Sequence, residues 1–253
     1  MNRIETAFSK GKAFIPFFTC GDPDLETTEQ LVLAAAEAGA DLIELGIPFS
    51  DPTAEGPVIQ GANMRALAGG VTTDLIFGLV RRLREQTQVP LVFMTYANVV
   101  FSYGTERFLT QAAQAGVDGL ILPDVPFEEK EEFAAPCREH GLVLISMVAP
   151  TSEGRVEQIA REAEGFLYCV SSMGVTGVRS QITTDVGAMV ALAKQANPKV
   201  PCAIGFGIST PEQAAAMGAK ADGVIVGSAI VKLVGRYGRQ AVEPVGEFVR
   251  RMK

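Results

Sequence analysis

Histidine, cysteine and tryptophan are scarce in this sequence, which limits the catalytic chemistry it can support. The 253 residues include no tryptophan, four cysteines without CxxC spacing and a single histidine, His140. Zinc-dependent aldolases and hydrolases need several His or Cys ligands, and a Ser–His–Asp triad needs a histidine at the active site. His140 ends a predicted helix, where an imidazolium interacts favourably with the helix dipole, so we expect neither a metal site nor such a triad.

Membrane proteins, secreted proteins and nucleic-acid binders are also disfavoured by what the chain lacks. No apolar run approaches the roughly 18 residues that span a bilayer. The polar start, MNRIETAFSKGKAF, does not resemble a secretory signal. The formal charge of −7 argues against non-specific nucleic-acid binding. We therefore expect a soluble, cytoplasmic protein with reduced cysteines that binds neither membranes nor nucleic acid.

The usual anchors of cofactor and covalent chemistry are missing as well. A Schiff-base aldolase needs a lysine on a barrel strand, whereas every lysine here falls in a predicted helix, loop or terminus. The segment GFGIS (205–209) lacks the third glycine of a dinucleotide-binding GxGxxG motif. These residues therefore predict no cofactor in this chain.

What the chain does contain is a recurring pattern. A helical stretch ends in small residues, an acidic turn follows, and a short aliphatic run comes next, most clearly at 37–48, 114–126 and 217–231. Such runs are typical of parallel strands that are buried on both faces. Eight of them alternate with amphipathic helices, at 13–21, 41–48, 90–98, 118–126, 142–150, 165–172, 201–209 and 222–228.

Eight strand–helix units in about 250 residues predict a single α/β domain over 1–253, a (β/α)8 TIM barrel. Residues 3–11 are predicted to form an extra N-terminal helix that plugs the barrel floor. An open doubly wound sheet is the alternative architecture. In a barrel, the active site lies at the C-terminal ends of the strands and in the loops that follow them.

Glu44 lies in the middle of the second predicted strand, in LIELG. A carboxylate there is removed from water, which raises its pKa toward the range of proton exchange at neutral pH. A buried ion pair is the alternative, but none of the eight runs contains a lysine or arginine.

The following loop, 48–60, adds Asp51, which could equally be a solvated turn residue. It also adds Glu55, which together with Glu44 suits a two-carboxylate acid–base site.

Glycine-rich turns follow the last three predicted strands, at GVTG (174–177), GFGIS and GSAIV (227–231). Backbone N–H groups at such turns bind phosphate without lysine or arginine, and barrel enzymes use the loops after strands 7 and 8 for this. Three purely structural turns are the alternative.

Aromatic side chains at the strand ends suit a flat apolar ring and are Phe17, Phe18, Tyr96, Tyr168 and Phe206.

Taken together, these segments resemble one known family. The run LIELGIPFSDPTAEGPVIQ is similar to the signature of the tryptophan synthase α subunit, and the segments PFFTCGDPD, MTYAN, ILPDVP, YCVSSMGVTG, GFGIS and VGSAIVK occur in that family's order and spacing. The resemblance covers essentially the whole chain. It implies a lyase of tryptophan biosynthesis that cleaves indole-3-glycerol phosphate to indole and glyceraldehyde 3-phosphate without a cofactor of its own. Indole would then pass to a pyridoxal-phosphate-dependent β subunit in an α2β2 heterotetramer.

The same resemblance implies roles for individual residues. Glu44 corresponds to the family's principal catalytic glutamate, and Glu55 to a second carboxylate that is usually aspartate. Thr176 corresponds to a loop threonine that hydrogen-bonds this second carboxylate. Positions that line the indole and glycerol pocket are Phe17, Ile59, Tyr96, Tyr168 and Phe206, and positions at the phosphate are Gly177, Gly207, Gly227 and Ser228.

Two other functions are open at this point. Another phosphate-binding barrel, such as an isomerase or synthase of the same pathway, would use a Lys, Cys or Asp at strand ends in different loops. A non-catalytic module would bind and activate the β subunit, its lyase activity lost through the change from Asp to Glu at position 55.

Overall fold

The computed structural model describes residues 2–150, 153–170, 186–205 and 207–253, in which short strands alternate with helices. The strands in these ranges are β1 (Ala13–Thr19), β2 (Ile43–Gly46), β3 (Leu91–Met94), β4 (Gly119–Ile121), β5 (Val143–Leu144), β6 (Ser146–Val148), β7 (Leu167–Val170), β8 (Cys202–Gly205) and β9 (Gly223–Val226). The α-helices are α1 (Arg3–Ala7), α2 (Leu25–Glu37), α3 (Pro57–Ala68), α4 (Thr73–Gln86), α5 (Ala97–Tyr103), α6 (Thr105–Ala115), α7 (Glu131–Glu139), α8 (Glu153–Arg161), α9 (Val186–Ala196), α10 (Pro211–Gly218), α11 (Ser228–Tyr237) and α12 (Val242–Met252).

The strand pairings in the described residues are all parallel, and the strand order is β5-β4-β3-β2-β1-β9-β8-β7-β6. The two ends of this order, β5 and β6, are consecutive in the chain with only Ile145 between them. The prediction of one continuous strand at 142–150 is therefore wrong, because its first part pairs with β4 and its second part with β7. This switch of partner closes the sheet into a barrel in which β5 and β6 together take the place of one strand. The barrel therefore has eight strand positions, which confirms the (β/α)8 barrel and not the open sheet.

The acidic turns of the recurring pattern fasten neighbouring strands at the N-terminal face of the barrel. Each aspartate donates its backbone N–H to a carbonyl at the start of the preceding strand in the sheet, and its carboxylate accepts the N–H of that same residue. The pairs, with both distances, are Asp41 with Phe14 (3.0 and 2.7 Å), Asp118 with Leu91 (2.8 and 2.8 Å) and Asp222 with Cys202 (2.8 and 2.8 Å). A cation pairs with each carboxylate: Lys253, Arg84 and Lys194, respectively. The turns thus satisfy strand N–H groups that would otherwise be left without a partner.

Helix α1 closes the same face, as the sequence predicted. Ile4 is buried and belongs to the apolar cluster inside the barrel, and Phe8 stacks on Phe166 with ring centroids 5.4 Å apart. A Cβ on Gly119 or Gly165 would lie within 3.4 Å of Ile4, so the plug fits closely against these glycines. None of the helices in the described ranges has the length and apolar character that a membrane span requires.

Two helices, α3 and α5, were not predicted from the sequence, and α5 begins inside the run 90–98 that was predicted as a strand. Helix α3 begins at Pro57, inside the segment 48–60, because proline is favoured in the first helical turn and the preceding Gly56 takes an extended conformation as its N-cap. Helix α5 begins at Ala97, whose N–H donates to both carboxylate oxygens of Asp124 at 3.1 Å. Both helices lie at the C-terminal face, so they shape the region in which the active site is expected.

Candidate active site

A cavity at the C-terminal ends of the strands brings together most of the predicted site residues. Its floor and walls come from strands β1, β2, β3, β7 and β9, from α3, and from the start of α11. The predicted residues that line it are Phe17, Glu44, Glu55, Ile59, Tyr168, Gly207, Gly227 and Ser228. Thr176, Gly177 and Phe206 lie outside the described residues.

Glu44 is the most isolated polar group in the cavity. It sits in the middle of β2 between Phe17 of β1 and Val92 of β3, and only 1% of its surface is exposed. Neither carboxylate oxygen has a hydrogen-bond partner among the described residues. Burial, and then the charge of Glu55, raise the pKa of Glu44 to about 8. Such a group holds its proton at neutral pH and can give it up to a substrate.

Glu55 faces the same cavity but is held by neighbouring side chains. Its Oε2 accepts a hydrogen bond of 2.6 Å from Nδ2 of Asn63, and its backbone carbonyl accepts one of 2.7 Å from Gln60. Burial raises the pKa of Glu55 to about 7, while the hydrogen bonds from Asn63 and Tyr96 act in the opposite direction. The two carboxylates are therefore unequal, because Glu55 loses its proton before Glu44 as the pH rises.

Tyr96 lies behind Glu55, outside the set of side chains that line the cavity. Its hydroxyl accepts the backbone N–H of Ala54 at 3.2 Å and also hydrogen-bonds Glu55. Its ring packs on Phe49 with centroids 5.3 Å apart. Through these contacts Tyr96, which is predicted to line the substrate pocket, also supports the loop between β2 and α3.

Two glycines make room for the aromatic walls of the cavity. A Cβ on Gly46 would lie 2.5 Å from Cζ of Phe17, and a Cβ on Gly205 would lie 2.6 Å from the hydroxyl of Tyr168. Each glycine therefore allows a ring to lie flat over the neighbouring strand. Burial, and then the charge of Glu44, raise the pKa of Tyr168 well above its usual value, so its hydroxyl is neutral at all working pH values.

The opposite end of the cavity is built from backbone. Gly227 precedes α11, Ser228 is its first residue, and no side chain in the described part of the chain caps this helix. Gly207 adopts a positive φ of 79°, which presents the backbone at the cavity edge. No lysine or arginine is among the described residues that line the cavity. The backbone N–H groups of the first turn and the helix dipole of α11 can hold a phosphate there.

Four residues of the site escaped the sequence analysis. Met94, Ile208 and Ile225 complete the apolar wall of the cavity, and Asn63 holds Glu55. The apolar residues carry no signal that separates them from core residues. Asn63 does, because it follows Ile59 by one helical turn and is a polar residue on the buried face of α3.

The single histidine of the sequence, His140, is not among the residues that line the cavity. His140 ends α7, where its ring lies 3.0 Å from Glu106 and 3.1 Å from Thr110. The described residues contain no group of three or more His, Cys, Asp or Glu side chains placed to bind a metal ion. The chemistry available in the cavity is thus carboxylate proton transfer on a ligand anchored by main-chain N–H groups.

Comparison with known proteins gives a consistent answer. The family described as "Tryptophan synthase alpha chain" matches residues 5–253. The tryptophan synthase alpha chain of Lacticaseibacillus casei is 48% identical over 253 residues, covering 100% of this chain and 95% of its own, and that of Citrifermentans bemidjiense is 50% identical over 260 residues, covering 100% and 97%. A chain from the tryptophan synthase α2β2 complex of the hyperthermophile Pyrococcus furiosus superposes with a TM-score of 0.88 at 36% identity, covering 96% of this chain and 98% of that one. The chain therefore belongs to the tryptophan synthase alpha chain family.

Proposed function

We propose that this chain cleaves indole-3-glycerol phosphate to indole and glyceraldehyde 3-phosphate by a retro-aldol reaction. The observation that carries the proposal is the presence, in one cavity, of two buried carboxylates with raised pKa values and a glycine-rich helix N-terminus. The carboxylates can move protons at neutral pH, and the helix can anchor a phosphate. The apolar wall between them suits the indole ring.

Glu44 moves one proton in two steps. Because its pKa is raised to about 8, the carboxyl is protonated at neutral pH and can protonate C3 of the indole ring. The carboxylate that remains then accepts the proton of the glycerol hydroxyl as the C–C bond breaks. The bonding electron pair returns to the ring, the hydroxyl carbon becomes the aldehyde of glyceraldehyde 3-phosphate, and Glu44 ends the cycle protonated. The protonated ring is the electron sink that a lysine imine or a zinc ion provides in other aldolases.

Glu55 stabilises the positive charge that appears on the ring nitrogen when C3 is protonated. It must be ionised for this, and the hydrogen bond from Asn63 favours the ionised form. The family usually has aspartate here, which is one methylene shorter. Hydrogen bonds from Asn63 and Tyr96 hold the longer Glu55 side chain, so its carboxylate does not move freely toward the ligand.

The remaining predicted residues bind and enclose the substrate. Gly207, Gly227 and Ser228 bind the phosphate, with Gly177 as a further donor. Phe17, Ile59, Tyr168 and Phe206 pack on the indole and glycerol parts, and Thr176 hydrogen-bonds the second carboxylate when the site is closed. Closure excludes water from the protonated intermediate.

The chain works with a partner in this proposal. Relatives include the α2β2 complex of P. furiosus, and we infer the same assembly here with a tryptophan synthase β subunit. Pyridoxal phosphate is bound by that subunit and joins indole to serine, so this chain needs no cofactor. The complex is cytoplasmic, as expected for a biosynthetic enzyme with free cysteines.

Indole release from indole-3-glycerol phosphate, with and without the β subunit, tests the proposal. Indole fluorescence is readily followed because the protein contains no tryptophan. We expect indole in both assays and more with the β subunit. Activation of the β subunit without any indole release would instead support the non-catalytic module, and Glu55→Asp would then show whether the longer side chain is the cause. If the chain neither releases indole nor activates the β subunit, the result would favour another phosphate-binding barrel.

A further inference from the structure

An ion pair beside the cavity joins elements that carry the site. Asp22 follows β1 and is buried, with 3% of its surface exposed. Arg65 on α3 binds it through two parallel hydrogen bonds, from Nε to Oδ1 and from Nη2 to Oδ2, both 2.8 Å long. A bidentate arginine–carboxylate pair fixes orientation as well as distance. The pair therefore holds α3 against the end of the strand that carries Phe17.

Arg65 also lies directly against α11. A Cβ on Gly235 would be 3.2 Å from Nη2 of Arg65, so the guanidinium group packs closely on this helix at a position that has no side chain. The main packing partners of α3 are β1 and α11. Arg65 thus contacts both of the elements that determine where α3 lies.

The position of α3 decides the position of the second carboxylate. Asn63 and Gln60, both on α3, donate hydrogen bonds to the side chain and the backbone of Glu55. Ile59 on the same helix lines the cavity. The start of α11 supplies Gly227 and Ser228 at the phosphate end. A shift of α3 against α11 would therefore change the distance between Glu55 and the bound phosphate.

We propose that Arg65 is a positioning residue for the lyase reaction, acting through the Asp22–Arg65 ion pair to hold Asn63 against Glu55 at a set distance from the N-terminus of α11. The proposal rests on the lyase function inferred above. A residue with this role affects the chemical step without touching the substrate.

Arg65→Gln and Arg65→Lys test the role. Arg65→Gln removes both the charge and the two parallel hydrogen bonds of the guanidinium group, whereas Arg65→Lys keeps the charge but cannot form the two parallel hydrogen bonds. We expect kcat to fall about tenfold or more in Arg65→Gln, since misplacement by about an ångström can cost ~100-fold, with a smaller loss in Arg65→Lys. The ascending limb of the pH–kcat profile should move to higher pH as Glu55 loses the Asn63 hydrogen bond. Binding of glycerol 3-phosphate, which uses the phosphate end of the cavity and not Glu55, should be unchanged.

Arg82 supplies the matched control, because its Nε lies 2.7 Å from Glu29 in an ion pair between α4 and α2, away from the cavity. Arg82→Gln should leave kcat and the pH profile as they are. If Arg65 had only a structural role, the Arg65→Gln variant would have a lower melting temperature, but its folded form would keep the wild-type kcat and pH profile. This result would overturn the proposal. If Arg65→Gln does not fold, the same comparison is made with Arg65→Lys.

A second measurement separates this proposal from the lyase function. The titration of the Glu55 carboxyl can be followed by carbon-13 NMR in the substrate-free protein. If the wild-type chain releases no indole, the lyase function has failed, but a raised Glu55 midpoint in Arg65→Lys would still show that the ion pair positions this carboxylate. An unchanged midpoint would contradict the positioning role whatever the activity.

Discussion

Glu44 combines complete burial with a carboxylate that has no hydrogen-bond partner among the described residues. A protein that needed this side chain only for packing would gain stability from an apolar residue there. We therefore expect Glu44→Gln to lower kcat by about 100- to 10,000-fold, the range of general acid–base catalysis, while glycerol 3-phosphate binds as before. Indole release and phosphate-ligand binding are measured on the same preparation. Glu139→Gln, at an exposed position on α7, is the control and should retain full activity.

Asn63 controls the protonation of the second carboxylate. Its hydrogen bond favours ionised Glu55, so Asn63→Ala should raise the pKa of Glu55 above about 7. Because the proposed mechanism needs Glu55 ionised, the rising limb of the pH–kcat profile should move to higher pH. Asn197→Ala removes a comparable amide, which donates to Ala160 O at 3.0 Å, and should leave the limb in place. A limb that stays at the wild-type pH in Asn63→Ala would show that this hydrogen bond does not set the state of Glu55.

At the scale of the secondary-structure elements, glycines in the strands shape the aromatic wall. In Gly46→Ala the new Cβ would lie 2.5 Å from Phe17, so the ring must leave its place over β2 and intrude on the cavity. We expect KM for indole-3-glycerol phosphate to rise about tenfold, the low end for one misplaced methylene in an apolar pocket. Gly154→Ala on α8 meets no atom within 4 Å and should leave KM unchanged. An unaltered KM in Gly46→Ala would mean that Phe17 does not touch the substrate.

The aspartate turns hold the strands together far from the cavity. Asp118 accepts hydrogen bonds from Leu91 N and Arg84 Nη2 at 2.8 and 2.6 Å, and both it and Arg84 are largely buried. Asp118→Ala removes the carboxylate that pairs with the largely buried Arg84, so urea unfolding should show a loss of about 3 kcal/mol. Glu157→Gln breaks an exposed pair with Arg161 and should cost at most about 0.5 kcal/mol. The kcat of folded Asp118→Ala should equal that of the wild type, and a lower value would show that the two faces of the barrel are coupled.

The elements also show what the sequence can and cannot predict. Aliphatic runs bounded by acidic turns gave the strand positions, because parallel strands buried on both faces leave a strong signal. They could not reveal that Ile145 separates β5 from β6, since a change of pairing partner alters no local pattern. Helix α3 was missed because its start resembles a rigid loop, and with it Asn63. Side chains that act through another residue are found only when the contacts are known.

At the scale of the whole molecule, a titratable carboxyl group in the barrel interior, Glu44, links folding stability to pH. The pKa of Glu44 is about 8 in the folded protein, against 4.5 when it is exposed. Below pH 4.5 both states are protonated and the titration of Glu44 contributes no change in folding stability. As the pH rises to 8 only the unfolded chain releases the proton, so folding stability falls, by up to about 1.4 kcal/mol per pH unit for one proton. Above pH 8 both states are ionised and the loss is complete.

Glu44→Gln removes this linkage and leaves unchanged the titrations of groups that are not coupled to Glu44. The difference in free energy of unfolding between the variant and the wild type should therefore grow in the variant's favour from about pH 4.5, and should level off above about pH 8. Urea unfolding at intervals across this range measures it, and Glu139→Gln should show no such trend. The variant with the lower kcat would then be the more stable protein, because the proposed reaction requires a buried carboxyl group that destabilises the fold. A difference that does not change with pH would mean that Glu44 is ionised in the folded protein and cannot be the proton donor to indole C3.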